Sequence, residues 1–139
     1  MEIVINKCYG GFGLSPLAVS KIAERKGRKC FFYTHEYNPE RYGAISLAEA
    51  QKSHKLVFAF DAKDPDEGNE WWSKHYLDYG SGRSNRTDAD LIAVVRELGK
   101  KANGAHAELV IVEIPDGVEY EIDEYDGVEI VHEAHRSWG

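Results

Sequence analysis

The chain has 139 residues, and its 17 lysine and arginine residues against 24 aspartate and glutamate residues give a formal net charge of −7. This length suits one domain over residues 1–139, no apolar run is long enough to cross a bilayer, and the negative charge argues against a nucleic-acid polymer as partner. The first residues lack the layout of a signal peptide and no CxxC pair indicates zinc, so we expect a cytoplasmic protein whose Cys8 and Cys30 stay reduced.

The chain begins with a predicted strand and helix. Residues 3–8 form an apolar stretch that is typical of a buried strand, and a glycine-rich turn follows it. Ser15 and Pro16 then predict a helix start, because a capping hydroxyl followed by proline suits the first turn. This helix is expected to run to Lys26, with Gly27 ending it.

The next part of the chain predicts a strand, a loop and a short helix. Residues 30–34 are apolar and aromatic, which favours a second strand, and the polar residues 35–43 predict a loop. Ser46 and Glu49 have the spacing of a capping box, in which each side chain bonds the other residue's backbone N–H. That spacing predicts a short helix over residues 46–53.

The middle of the chain predicts a strand, a long irregular segment and the clearest helix. Residues 55–61 favour a third strand, and residues 62–86 lack a clear period. A segment of that length without regular structure is usually functional or mobile. Thr87 is expected to cap the helix that follows, and residues 109–114 predict a fourth strand.

The last part of the chain predicts a half-exposed strand and a turn. Apolar and acidic residues alternate over residues 118–122, and Asp126 with Gly127 is a turn signal. The tail, residues 128–138, fits either a strand or a short helix. The elements together predict an α/β (α+β) fold, with two main helices packed on a mixed, largely antiparallel sheet.

The first candidate ligand contacts are Gly11 and Phe12 in the turn between the first strand and the first helix. Glycines let backbone N–H groups approach a phosphate closely, and a helix start carries partial positive charge. The turn matches neither GxGxxG nor the P-loop. A tight turn with Phe12 in the core is the alternative interpretation.

Arg83, Asn85 and Arg86 are the second candidate group, directly before the helix expected at Thr87. Two guanidinium groups and an amide at a helix N-terminus suit a phosphate or a carboxylate. The alternative is that the arginines pair with surface acids.

Trp72 and Tyr76 are the aromatic candidates, since they fall at helical spacing. A flat ring of this kind stacks on a purine with about 1–3 kcal/mol per base. Packing into the core or against a second subunit remains the alternative.

The tail supplies Arg136 as a further candidate anion contact. His132 and His135 would share one face if the tail were helical, but no third ligand is evident in the sequence. We therefore expect no metal site.

Catalytic motifs are missing from the sequence. It has no GxSxG elbow, no HExxH and no DxDxDG loop, and nothing identifies a nucleophile. We therefore expect binding without turnover and no cofactor. An enzyme that degrades a nucleotide signal remains an alternative, with His35, His75 or His132 as candidate groups.

Three segments, residues 3–15, 86–99 and 121–138, resemble a family of small phage and prophage proteins, and the likeness covers most of the chain. In size and predicted layout the chain also resembles the Thoeris anti-defence protein 1 family. That resemblance implies an oligomeric sponge that sequesters glycocyclic ADP-ribose signals, and for some members cyclic oligonucleotides, without cleaving them. No residue is carried over from that family, because we match none of its binding residues to a position of this sequence.

The residues and the resemblance together predict a homo-oligomer, a dimer or a hexamer, that binds a small anionic nucleotide in the host bacterial cytoplasm. Trp72 or Tyr76 would stack on the base, and Arg83, Arg86 and Arg136 would hold the diphosphate. A module that binds a host protein through its acidic surface is a further alternative.

Overall fold

The computed structural model describes residues 1–37, 40–79 and 85–134. In these ranges the chain forms seven strands and four α-helices, and every strand pairing is antiparallel. The predicted α/β class, with largely antiparallel pairing, is therefore confirmed. The strands form three small sheets, whereas the sequence suggested one.

The first sheet pairs strands from distant parts of the chain. β1 (Glu2–Asn6) lies antiparallel to β5 (Leu109–Glu113). The two predicted main helices are α1 (Pro16–Arg25) and α4 (Ala89–Leu98), and they pack on each other beside this sheet. Their apolar faces bury a core made of Val4, Ala18, Ile22, Leu91, Ile92, Val94, Val95 and Ala102.

The caps of these two helices follow local chemistry. Ser15 caps α1 as predicted, since its Oγ accepts a hydrogen bond from the Ala18 N–H at 3.1 Å. The predicted Thr87 cap of α4 is wrong. Asp88 is the cap, because its carboxylate accepts from the Leu91 N–H at 3.0 Å. A carboxylate at this position also favours the positive end of the helix dipole.

The second sheet has three strands. β2 (Phe31–Tyr37) lies between β3 (Glu40–Ile45) and β4 (Val57–Phe60), and α2 (Leu47–Lys52) carries the predicted capping box of Ser46. The core beside this second sheet consists of Ala23, Phe32, Ala50, Ala59 and Leu77.

The predicted loop over residues 35–43 is wrong, because most of it belongs to β2 and β3. Glu36 faces Arg41 across this hairpin, with their charged groups 3.8 Å apart. This end of the hairpin lies at the surface, so its side chains are polar and the apolar period that marks a strand is lost.

The expected irregular segment, residues 62–86, contains a 3₁₀ turn (Pro65–Glu67) and α3 (Asn69–His75). α3 has no side-chain cap, since Gly68 precedes it. A helix of seven residues without a cap gives little sequence signal, because packing rather than propensity stabilises it.

The third sheet is the hairpin of β6 (Tyr120–Tyr125) and β7 (Val128–Glu133). Asp126 and Gly127 form its two-residue turn with φ angles of 51° and 90°, as the sequence predicts. The tail therefore continues as a strand as far as Glu133.

Among the helices of the three described ranges, none has the length and hydropathy that a membrane-spanning helix needs. Both cysteines are free thiols, and burial raises the pKa of the Cys30 thiol to about 11.

Candidate ligand-binding site

An open groove of about 610 Å³ lies between the start of α1, the end of α2, β4 and the chain that follows α4. Its lining combines apolar side chains with lysine, hydroxyl and amide groups. The lining residues are Leu14–Leu17, Val19, Phe32, Ala50, Gln51, Ser53, Lys55–Val57, Ala59, Lys100, Lys101 and Asn103–Ala105.

Hydrogen bonds hold the chain after α4 against the start of α1. The Ser15 hydroxyl donates to the Lys101 carbonyl at 2.6 Å, and the Ser15 N–H donates to the Ala102 carbonyl at 2.9 Å. The Gly104 N–H donates to the Gly13 carbonyl at 2.9 Å. A Cβ at Gly104 would lie 2.9 Å from the Gly13 carbonyl carbon, so this approach requires glycine.

Positive charge is concentrated at the rim of this groove. Lys55, Lys100 and Lys101 are exposed there, and none of its lining residues is acidic, although the chain carries a net charge of −7. We call this cavity the basic groove. At its α1 end, the exposed Gln51 side chain accepts a hydrogen bond from the Leu17 N–H at 2.9 Å through its Oε1. That amide oxygen occupies the position a phosphate oxygen would take at a helix start.

A second recess of about 310 Å³ continues the basic groove toward Tyr76. The two cavities share Leu14, Val19, Val57 and Ala59. Tyr76 is 40% exposed, and its ring stacks on Trp72 with centroids 5.7 Å apart. Burial of the phenol and then the charge of Asp78 raise the pKa of Tyr76, so its hydroxyl remains a hydrogen-bond donor at neutral pH.

The glycine-rich turn, residues 9–13, packs against the turn of the β6–β7 hairpin. Gly10 and Gly11 have φ angles of 109° and 99°. The Gly10 N–H points to the Asp126 carbonyl at 3.4 Å, and a Cβ at Gly127 would lie 2.3 Å from the Gly11 nitrogen. The turn of the β6–β7 hairpin thus lies where a phosphate would have to bind.

Arg86 lies inside the protein, with its side chain 4% exposed. Its Nη1 and Nη2 atoms donate to the two oxygens of the buried Glu129 at 2.7 and 2.9 Å. The guanidinium carbon lies 3.6 Å from the centroid of the Phe12 ring. Arg86 pairs with an acid, as the alternative interpretation had it, but this acid is buried, and Phe12 packs against the pair.

Of the other polar candidates, the structure describes only Asn85. Asn85 is exposed, and its Oδ1 accepts from the N–H and the hydroxyl of Thr87 at 3.1 and 2.7 Å. Arg83 and Arg136 lie outside the described residues, as does His135.

Trp72 belongs to an aromatic cluster, where it contacts Tyr42, Phe58, Phe60 and Tyr76 at centroid distances of 4.9–5.7 Å. Its indole N–H donates to the Pro65 carbonyl at 2.9 Å. Trp72 also lines a separate open cavity of about 410 Å³, and of the predicted residues that the structure describes only Tyr76 lines the extension of the basic groove.

The histidines proposed for an enzyme lie away from the basic groove. His75 Nδ1 is 2.7 Å from Asp61 Oδ1, and Arg28 binds the other oxygen of that carboxylate. Burial opposes the charge of Asp61, yet hydrogen bonds from Arg28 and His75 keep its pKa below the usual value. His35 packs edge-on against Tyr42.

Sequence reasoning missed the lysines and Gln51 of the basic groove. A lysine pair after a helix ordinarily complements the negative end of that helix, so it carries no ligand signal by itself. Lys55 is about 45 positions from Lys100 in the sequence, and only tertiary packing brings them to one rim.

No family model, no curated protein and no solved structure matches this chain.

Proposed function

We propose that the chain binds a small nucleotide in the basic groove and holds it without cleaving it. The observation that carries this proposal is the charge of the cavity lining. In an acidic protein, the described residues that line this groove of about 610 Å³ include three lysines and no carboxylate. Ammonium groups that share a concave, partly apolar surface attract a phosphate much more strongly than isolated surface lysines do.

The size and shape of the site fit a nucleotide. The main cavity of about 610 Å³ and the adjoining recess of about 310 Å³ fall in the usual range for small-molecule pockets. The phosphates would lie beside Lys55, Lys100 and Lys101, and the base would stack on the exposed face of Tyr76. Apolar side chains between the two ends would contact the sugar.

Binding without turnover is favoured by the chemistry of the lining. The main cavity, where the phosphates would lie, presents ammonium, hydroxyl, amide and apolar groups. Asp78, the acid among the described lining residues, belongs to the recess that would take the base. Nucleotide cleavage usually needs a positioned general base or a metal ion. Sequestration needs only a preorganised pocket that binds more tightly than the receptor with which it competes.

The ligand class that we propose rests on the resemblance stated from the sequence. We propose a nucleotide second messenger of the glycocyclic ADP-ribose type, or a cyclic oligonucleotide, sequestered by a homo-oligomer in a bacterial cytoplasm. The guanidinium of Arg86 has no part in this proposal, because Glu129 already binds it.

Calorimetry with glycocyclic ADP-ribose, cyclic dinucleotides and ADP-ribose tests the proposal. We expect Lys100→Glu and Lys101→Glu to weaken binding at least tenfold, and Lys29→Glu, which makes the same charge change at an exposed site outside the groove, to leave it unchanged. The ligand should be recovered intact after the protein is heated.

Three results would argue against this function. Chromatographic loss of the ligand over time would indicate the degrading enzyme. Absence of binding by every nucleotide, together with capture of one host protein, would indicate the interaction module. Equal loss of affinity in Lys29→Glu would indicate a general charge effect instead of a site.

A further inference from the structure

Pairing of β6 with β7 brings three metal-ligating side chains together on the outer face of the hairpin. Glu121 lies directly opposite His132 in the register, and Asp123 is two residues along β6 on the same face. One ligand atom from each residue lies within 4.8 Å of the other two. His132 Nε2 is 2.6 Å from Asp123 Oδ2 and 3.9 Å from Glu121 Oε2.

The histidine is already oriented as metal-bound histidines are. Its Nδ1 lies 3.0 Å from the Glu133 carbonyl oxygen, to which it donates a hydrogen bond. That bond directs Nε2 toward the two carboxylates. A metal-ligating histidine commonly donates its second N–H to a backbone carbonyl in this way, which fixes the ring and raises its basicity.

The electrostatic surroundings also favour a cation. Residues 118–134 include seven aspartate and glutamate residues and contain no lysine or arginine. Of these acids, Glu129 is paired with Arg86, whereas Glu121 and Asp123 are exposed and share the His132 imidazole. Its Nε2–H donates to Asp123 Oδ2, and a metal ion would replace that proton. A divalent ion would balance both carboxylates at once.

We propose that Glu121, Asp123 and His132 form a binding site for a first-row divalent metal ion, with zinc as the best-fitting one. One imidazole and two carboxylates suit zinc better than magnesium or calcium, which prefer oxygen ligands alone. Tetrahedral zinc holds such ligand atoms about 3.3 Å apart, so the exposed side chains need only small rotations to close on the ion. Water would complete the coordination.

The site is independent of the basic groove and of its proposed ligand. It would join β6 to β7 at a point where the hairpin has an exposed face. Its predicted effect is therefore on the stability of the hairpin, and nucleotide binding is not required to detect it.

Calorimetry of chelator-treated protein with zinc chloride alone tests the site. We expect one zinc ion per chain, and affinity reduced about tenfold or more in Asp123→Asn and in His132→Gln. His54→Gln, a change at an exposed histidine far along the sequence, should bind as the unaltered chain does. Zinc should also raise the melting temperature of the unaltered chain and leave that of His132→Gln unchanged.

Four outcomes would overturn the assignment. The first is absence of zinc binding, and the second is equal binding by Asp123→Asn and His132→Gln. The third is loss of binding in His135→Gln with retention in Asp123→Asn, since the tail would then supply the ligands. The fourth is competition by magnesium or calcium at concentrations equal to that of zinc, which would indicate an unspecific acidic surface.

Discussion

Arg86 and Glu129 form the most buried ion pair of the described residues, with side chains 4% and 7% exposed. Glu129 Oε1 also accepts a hydrogen bond from the Asn6 N–H at 2.8 Å, and the Arg86 carbonyl accepts one from the Val4 N–H at 3.0 Å. The pair therefore ties β7 to β1 and to the chain before α4. Two hydrogen bonds from Arg86 balance the charge of Glu129, whereas the buried Nε of Arg86 has no hydrogen-bond partner among the described residues.

Removal of Arg86 should strongly destabilise the fold. We expect Arg86→Ala to lower the free energy of unfolding by about 3–5 kcal/mol, because Glu129 is left buried without its counter-charge. Urea denaturation at pH 7 measures this. The matched control is Arg96→Ala, since Arg96 pairs with Glu2 at the surface and should contribute less than about 1 kcal/mol. Equal stability losses in the two variants would contradict the assignment.

The Cys30 thiol should react slowly in the folded protein. Burial raises its pKa from 9.0 to about 11, so the thiolate fraction at pH 8 falls about 100-fold, and the thiolate is the nucleophile. We expect iodoacetamide to label Cys30 slowly at pH 8, and peptide mass spectrometry reads this site by site. Urea-unfolded chain serves as the reference. A folded-state rate equal to that reference would mean that the thiol is not buried.

At the scale of elements, docking of the β6–β7 hairpin on the glycine-rich turn depends on Gly127. A Cβ there would lie 2.3 Å from the Gly11 nitrogen and 2.6 Å from the Gly10 nitrogen, both of which are backbone atoms. Gly127→Ala should therefore destabilise the protein by well over the roughly 1 kcal/mol that a positive φ alone costs alanine.

Gly117 offers a matched control for Gly127. It also has a positive φ, 78°, but nothing lies within 4 Å of its Cβ position. Gly117→Ala should thus show the backbone cost without the steric clash, and the difference between the melting temperatures of the two variants isolates the clash. If the two variants have the same melting temperature, the hairpin does not dock on the glycine-rich turn as described.

Elements with a local chemical signal were predictable from the sequence. The Ser15–Pro16 start of α1, the Ser46–Glu49 capping box and the Asp126–Gly127 turn all depend on neighbouring residues, and all three are confirmed. β3 and α3 were missed. β3 pairs with the neighbouring β2 in a surface hairpin whose polar side chains lack an apolar period, and α3 is a seven-residue helix without a side-chain cap, so neither gives a clear local signal.

The candidate site was less predictable because its residues meet only in three dimensions. Tyr76 was selected as a flat ring at helical spacing, and it does border a recess. Arg86 was selected for its charge. The sequence alone does not reveal that it forms a buried ion pair with Glu129, which lies 43 residues later. The Glu121–His132 contact likewise requires the strand register, which depends on the turn between them.

At the scale of the whole molecule, charge is unevenly distributed. The chain carries −7 overall, and residues 102–134 contain no lysine or arginine, whereas the basic groove collects three lysines on one rim. Two opposing fields therefore act on an incoming anion. The total charge repels it at long range, and the groove attracts it at short range.

Screening by salt separates these two fields. The Debye length is about 10 Å at 0.1 M salt and about 4 Å at 0.5 M, so repulsion by distant carboxylates is already weak at 0.1 M, while the contacts in the groove are not yet screened. We therefore expect nucleotide affinity, measured by calorimetry, to fall several-fold between 0.1 and 0.5 M sodium chloride. Lys101→Gln should reduce this dependence on salt, and Lys29→Gln should preserve it. An affinity that rises over this range would mean that the ligand experiences the overall charge of the protein, and the basic groove would then not be its binding site.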